Sequence, residues 1–147
     1  MIPTPSRAIW MVVSILSIVG FACSSTSVDP QDCVIPHRDI VDGIEEGLTT
    51  SGNGVLRDAR AVRSTDFNAV WMVAADIDAP GLEGDGPIAV WAVSGGVGSL
   101  HDLSGIFAVG SAASEFSDWG SSGGLEQFSR SDHGYDESIA CVRLARR

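Results

Sequence analysis

Asp66-Phe67-Asn68-Ala69-Val70-Trp71-Met72-Val73-Ala74-Ala75-Asp76-Ile77, followed after an acidic glycine-rich turn by Ile88-Ala89-Val90-Trp91-Ala92-Val93, is the stretch that decides the fold. Both runs are rich in β-branched and aromatic residues, and Pro80-Gly81 and Gly84-Asp85-Gly86-Pro87 break the chain between them. They therefore read as neighbouring strands of an antiparallel sheet. In the first run Ala69, Trp71, Val73, Ala75 and Ile77 share one face and Val70, Met72 and Ala74 the other, so both faces are expected to be covered. Trp71 and Trp91 lie among aliphatics and are assigned to the core. These strands are scaffold rather than chemistry.

Working outward, Val55 to Ser64 reads as a first strand at an edge, with Leu56 and Val62 on one phase and Arg57, Arg60 and Arg63 spread along it. Before it, Ile40, Val41, Ile44 and Leu48 recur at helical spacing, with Pro36 in the first turn and Ser51-Gly52-Asn53-Gly54 as the stop. Gly43 and Gly47, four apart, would let a strand pass close to this helix. After the central pair, Ser94 to Gly105 reads as a connection and Ile106 to Val109 as a fourth strand. Ala112, Ala113, Phe116 and Trp119 predict a short helix capped by Ser111 or Ser114. Ser121 to Gly134 reads as a loop. Asp136 to Arg147, acidic at its start and basic at its end, predicts a helix carrying Cys141, with a strand as the alternative. The expected class is α+β: a helix packed on a four-stranded antiparallel sheet, with short C-terminal helices.

The amino-terminal segment is a separate matter. Arg7 precedes the uncharged run Ala8 to Val19, which is too short to favour a spanning helix of about 20 residues and reads as the apolar core of a signal peptide. Gly20-Phe21-Ala22 then places small residues before Cys23, and Ser24-Ser25-Thr26-Ser27 follows. This arrangement resembles a bacterial lipoprotein signal, in which the cysteine is acylated and becomes the first residue of the mature chain. Gly20 stands where that pattern prefers a branched aliphatic residue, and cleavage without lipid is the alternative. The expected organisation is a signal peptide at 1–22, a flexible tether at 23–32 and a single domain at 33–147.

Three cysteines leave one unpaired in any bridged form. With Cys23 acylated, Cys33 and Cys141 remain as a disulfide pair that would close most of the mature chain; Cys23 with Cys33 is the alternative and would constrain little. Either bridge implies an oxidising, extracytoplasmic setting. The whole chain carries a formal charge of −10, and residues 23–147 retain 8 arginines against 19 acids, a charge of −11. Such a surface disfavours nucleic acid and anionic lipid head groups as partners.

Asp66-Phe67-Asn68-Ala69-Val70-Trp71, Gly84-Asp85-Gly86-Pro87-Ile88-Ala89-Val90-Trp91-Ala92, Phe116-Ser117-Asp118-Trp119-Gly120 and Cys141-Val142 together resemble the uncharacterised small secreted lipoproteins of actinobacteria. The resemblance covers residues 66–142 and the signal. It implies a cell-envelope location and a source, and it carries no activity.

Chemical candidates are few. Ala92-Val93-Ser94-Gly95-Gly96 has the spacing of a nucleophile elbow after a strand, but the residues after Ser94 make a poor helix; His101 or His133 would have to act as base. Asp76, Asp78, Glu83 and Asp85 surround a glycine-rich turn, as calcium ligands do, yet Pro80 and Pro87 occupy ligand positions of the twelve-residue calcium loop. A solvated acidic turn fits better. Asp132, His133, Asp136 and Glu137 offer mixed ligands or a base, and equally the start of a capped helix. Gly96-Val97-Gly98 lacks the third glycine of a dinucleotide loop.

Trp119, beside Asp118 and ahead of a Ser-Gly run, is the candidate binding surface. No cofactor and no metal site is expected. The reading is an envelope-anchored lipoprotein, a non-enzymatic binding or interaction module held through lipid on Cys23 at the outer face of the cell membrane, or secreted if unlipidated. A small extracytoplasmic hydrolase and an acidic metal-binding module are the alternatives.

Overall fold

A computed structural model describes residues 28–50, 54–82, 84, 86–98, 103–120, 122–123 and 126–147. The expected signal peptide at 1–22, Cys23 and the first part of the expected tether lie outside the described residues, as do His101, Glu83 and Asp85. Among the described residues no helix is long and apolar enough to cross a membrane.

Helix α1 (Arg38–Glu46) is followed by strands β1 (Val55–Arg63), β2 (Val70–Asp78), β3 (Ile88–Gly95) and β4 (Leu103–Val109). Helix α2 (Gly110–Phe116), the two-residue strands β5 (Ser122–Gly123) and β6 (Glu126–Gln127), and helix α3 (Tyr135–Ala145) complete the chain. The four long strands form an antiparallel meander in the order β1-β2-β3-β4. This is the α+β class expected from the sequence, with α1 and α2 covering one face of the sheet and α3 the other.

The alternation in β2 and β3 explains the two cores. Val73, Ala75, Ile77, Trp91 and Val93 point toward Ile40, Val41 and Ile44 of α1 and Ala113 of α2. Val70, Met72, Ala74, Val90 and Ala92 point toward Tyr135 and Val142 of α3. Both faces of the central strands are thus removed from water, which is why these strands carry almost no polar residues. Trp91 is fully buried, and its Nε1–H donates to Ser117 Oγ at 3.2 Å, so its one polar atom is satisfied. Trp71 is half-buried at the margin of the first core.

Several local expectations are corrected. Leu56 and Val62 do not share a face: a register shift between Arg57 and Arg60, with Asp58 at φ +52°, inserts a bulge that reverses the alternation. Leu56 and Ala61 therefore join the α1 core, while Val62 pairs with Met72 on the α3 side. Ala69 does not belong to the central strand; it has φ +55° in the turn before Val70. Pro36 precedes α1, whose cap is His37, with Nδ1 accepting from the Asp39 N–H at 3.3 Å.

Gly47 is approached by a side chain rather than a strand. The Trp119 indole fills the space that a Cβ would need there. Strand β4 begins at Leu103, three residues earlier than expected, because Gly95 and Leu103 pair across the connection. Helix α2 has no serine cap: Ser114 Oγ bonds back to the Gly110 carbonyl and Ser117 Oγ to that of Ala113. The expected 121–134 loop contains β5, β6 and the buried Phe128, which packs on Phe67 and Phe107. The C-terminal element is a helix and not a strand.

Cys33 and Cys141 are disulfide-bonded, with their Cα atoms 5.7 Å apart. The bridge holds the segment before α1 against α3. That segment is also stitched to the β1 edge by Val34, whose N–H and carbonyl both bond to Ala61 at 2.9 and 2.8 Å. The last tether residues, Pro30–Asp32, form a single 3₁₀ turn capped by Asp29.

Candidate functional site

The carboxylates singled out in the sequence divide into paired and unpaired sets. Asp76, on β2, is largely buried and meets the guanidinium of Arg146, the residue that caps the C-terminus of α3, at 2.6 Å. Asp78 pairs with Arg57 across the strands. Two of the four candidate calcium ligands therefore already hold arginines. Among the described residues no group of three or more His, Cys, Asp or Glu side chains is placed to hold a metal.

Ser94 lies near the end of β3, paired with Val70 and Gly105. Gly95 follows in a left-handed conformation, φ +109°, and the chain continues into the β3–β4 connection instead of the helix that a nucleophile elbow requires. Among the described residues no hydrogen bond joins the Ser94 side chain to a base.

Asp132, His133, Asp136 and Glu137 diverge in role. Asp132 accepts from the Ser129 N–H at 2.6 Å and from Ser129 Oγ at 3.0 Å, closing its own turn. Glu137 reaches back to accept from the Gly134 N–H at 2.9 Å, satisfying one of the free amides at the start of α3. Asp136 is exposed in the first helical turn, where the helix dipole favours negative charge. Gly134 supplies the left-handed geometry of this entry, φ +97°.

Trp119 is half-buried, and its Nε1–H donates to the Ile44 carbonyl at 3.1 Å, so it caps the last turn of α1. Asp118 is exposed beside it, with its N–H on the Gly47 carbonyl at 2.9 Å.

A ligand-sized concavity lies elsewhere among the described residues. A cleft of about 860 Å³ opens between the segment ahead of α1, the β1–β2 turn and the start of α3. Val28, Val34, Val62, Phe67 and Trp71 give it apolar walls; Asp32, Arg63, Asp66, His133 and Glu137 give it ionisable groups. Its volume is that of small-molecule sites, roughly 300 to 1,000 Å³, which combine apolar walls with a few convergent polar groups.

The cleft is built by hydrogen bonds between distant segments. The His133 N–H donates to Asp66 Oδ2 at 2.6 Å, and His133 Nδ1 accepts from the Thr65 N–H at 3.3 Å. Within the turn, Ser64 Oγ accepts from the Asp66 N–H at 3.2 Å and the Ser64 N–H bonds to the Val70 carbonyl at 2.9 Å. Ala69, at positive φ, accepts from the Gly95 N–H at 2.7 Å. Such strained turns persist where surrounding contacts over-determine them, often at functional sites.

The sequence singles out His133 and Glu137 within the 132–137 cluster and assigns Trp71 to the core, and nothing in it joins them to the 64–68 turn that completes the cleft. The signal that pointed toward it was weak: the Ser64-Thr65-Asp66 turn ahead of the central strand and a histidine at a helix start. Comparison with protein-family models, with curated proteins and with solved structures gives no match for this chain.

Proposed function

We propose that the protein is an envelope-anchored lipoprotein whose domain is a non-enzymatic binding module, with the cleft beside Trp71 as its ligand site. The observation that carries this reading is the cleft itself, a ligand-sized concavity with aromatic walls and convergent polar groups. The anchor rests on Cys23 and the apolar run before it, which resemble a lipoprotein signal, and on the resemblance to small secreted actinobacterial lipoproteins. The Cys33–Cys141 bridge supports an oxidising, extracytoplasmic location. With acyl chains on Cys23, the membrane is a partner through lipid, and the domain stands at its outer face on a short tether.

Two measurements test this. Intact mass of the protein from its native envelope should match residues 23–147 plus lipid, rising by two hydrogens on reduction; an unlipidated mass removes the anchor. A photo-reactive residue at Asn68, on the cleft, should give an envelope adduct that the same group at the exposed Glu46 of α1 does not. Equal labelling at both positions, or none at either, removes the binding module.

A further inference from the structure

Resting on the reading of the cleft as a ligand site, we infer that its ligand is an organic cation, an ammonium group held by Asp66 and Glu137 with its hydrocarbon part against Trp71 and Phe67. The two carboxylates are fixed by adjacent amides of one segment: His133 N–H holds Asp66 at 2.6 Å and Gly134 N–H holds Glu137 at 2.9 Å. Consecutive residues lie about 3.8 Å apart, so both acids are brought to one corner of the cleft. Each uses a single oxygen in that bond. Among the described residues no donor sits on Asp66 Oδ1 or Glu137 Oε1.

Charge balance gives the sign of the ligand. Four acids of the fold are matched to arginines, Asp42 and Glu45 to Arg38, Asp78 to Arg57 and Asp76 to Arg146, and none of the four lines the cleft. Asp66 and Glu137 have no ion-pair partner among the described residues. Arg63 also lines the cleft, but it is exposed and forms no ion pair there, and Asp32 adds a third acid. The cleft is therefore net negative on a chain of charge −10, a field that draws cations in.

The aromatic walls distinguish an organic cation from a metal ion. Calcium or magnesium needs six or more oxygens around it and zinc about four N, S or O ligands, and the described residues gather no group of three or more His, Cys, Asp or Glu placed to hold a metal. An alkylammonium needs one or two carboxylates for its N–H groups and apolar surface for its carbon chain, with aromatic rings adding cation–π attraction.

The test uses phenethylammonium, its uncharged isostere 2-phenylethanol, 3-phenylpropionate and calcium, each titrated into the purified protein at constant ionic strength and followed by amide chemical shifts. Phenethylammonium should bind about tenfold or more tighter than the alcohol and shift the amides of Thr65, Asn68 and His133. Asp66→Asn with Glu137→Gln should abolish that preference while leaving the fold intact, since each amide oxygen still accepts the same backbone N–H. The inference is overturned if the alcohol, the carboxylate or calcium binds as well as the amine, if the double variant keeps the preference, or if no probe moves the cleft amides. The first of these would leave the cleft a binding site for another ligand class, whereas failure of the Asn68 adduct removes the module itself.

Discussion

The backbone N–H of His133 donates to Asp66 Oδ2 at 2.6 Å across 67 residues of sequence, and in return the imidazole Nδ1 accepts from the amide next to Asp66, that of Thr65. Turn and helix start are thereby locked as one unit. Asp66→Ala should cost about 1 to 2 kcal/mol of stability, the range for a hydrogen bond to a charged group at an exposed site. Hydrogen exchange at the His133 amide should accelerate, while Asp66→Asn, which still accepts, should leave that amide protected. Equal acceleration in both variants would show that the carboxylate is not what holds the turn.

Gly47 ends α1 at φ −93°, where alanine is conformationally acceptable, so its requirement for glycine is steric. The Trp119 indole occupies the place of a Cβ. Gly47→Ala should destabilise by about 1 to 3 kcal/mol, the usual cost of overpacking. In a Trp119→Ala background the same change should cost almost nothing, a coupling readable in a double-mutant cycle by denaturant titration. A penalty that persists without the indole would place the clash elsewhere.

Arg146 and Arg57 form ion pairs of unlike value. The Arg146–Asp76 pair is largely shielded, with side chains 21% and 12% exposed, whereas Arg57–Asp78 is open at 65% and 38%. Arg146→Ala leaves a shielded carboxylate without its cation and should cost about 3 kcal/mol, while Arg57→Ala should cost less than about 1. Thermal unfolding of the two variants side by side checks the order. Equal losses would contradict the assignment of burial as the deciding factor.

The Cys33–Cys141 bridge spans 108 residues, and chain-entropy arguments give such a loop about 4 to 5 kcal/mol of stabilisation. It also fastens one wall of the cleft, formed by residues flanking Cys33, to the helix that carries Glu137. Cys141→Ser with Cys33→Ser should lower the urea midpoint accordingly. Exchange protection at Val34 and Ala61 should fall more than at β3, since among the described residues Val34 alone ties the segment to the β1 edge. A uniform loss of protection would mean that the segment has no independent opening.

Much of this fold is written locally. The period-2 alternation from Val70 to Ile77 and from Ile88 to Val93 specifies the strands and which side chains share a face, because burial on two faces leaves one register open to them. The helical spacing of Ile40, Val41 and Ile44 specifies α1, while cysteine counting left two pairings open and the fold chose Cys33–Cys141. Other features were set only by the folded chain. A bulge at Asp58 reversed the faces of β1, since one inserted residue is invisible to a periodic pattern. Phe128 joined the core from a serine- and glycine-rich stretch because Phe67 and Phe107 leave it a site. Asp76 was taken from the candidate calcium turn by an arginine 70 positions away. The cleft, too, is tertiary in origin: its walls come from residues near 30, 65 and 135, and no local signal links segments that meet only once the sheet and α3 have packed.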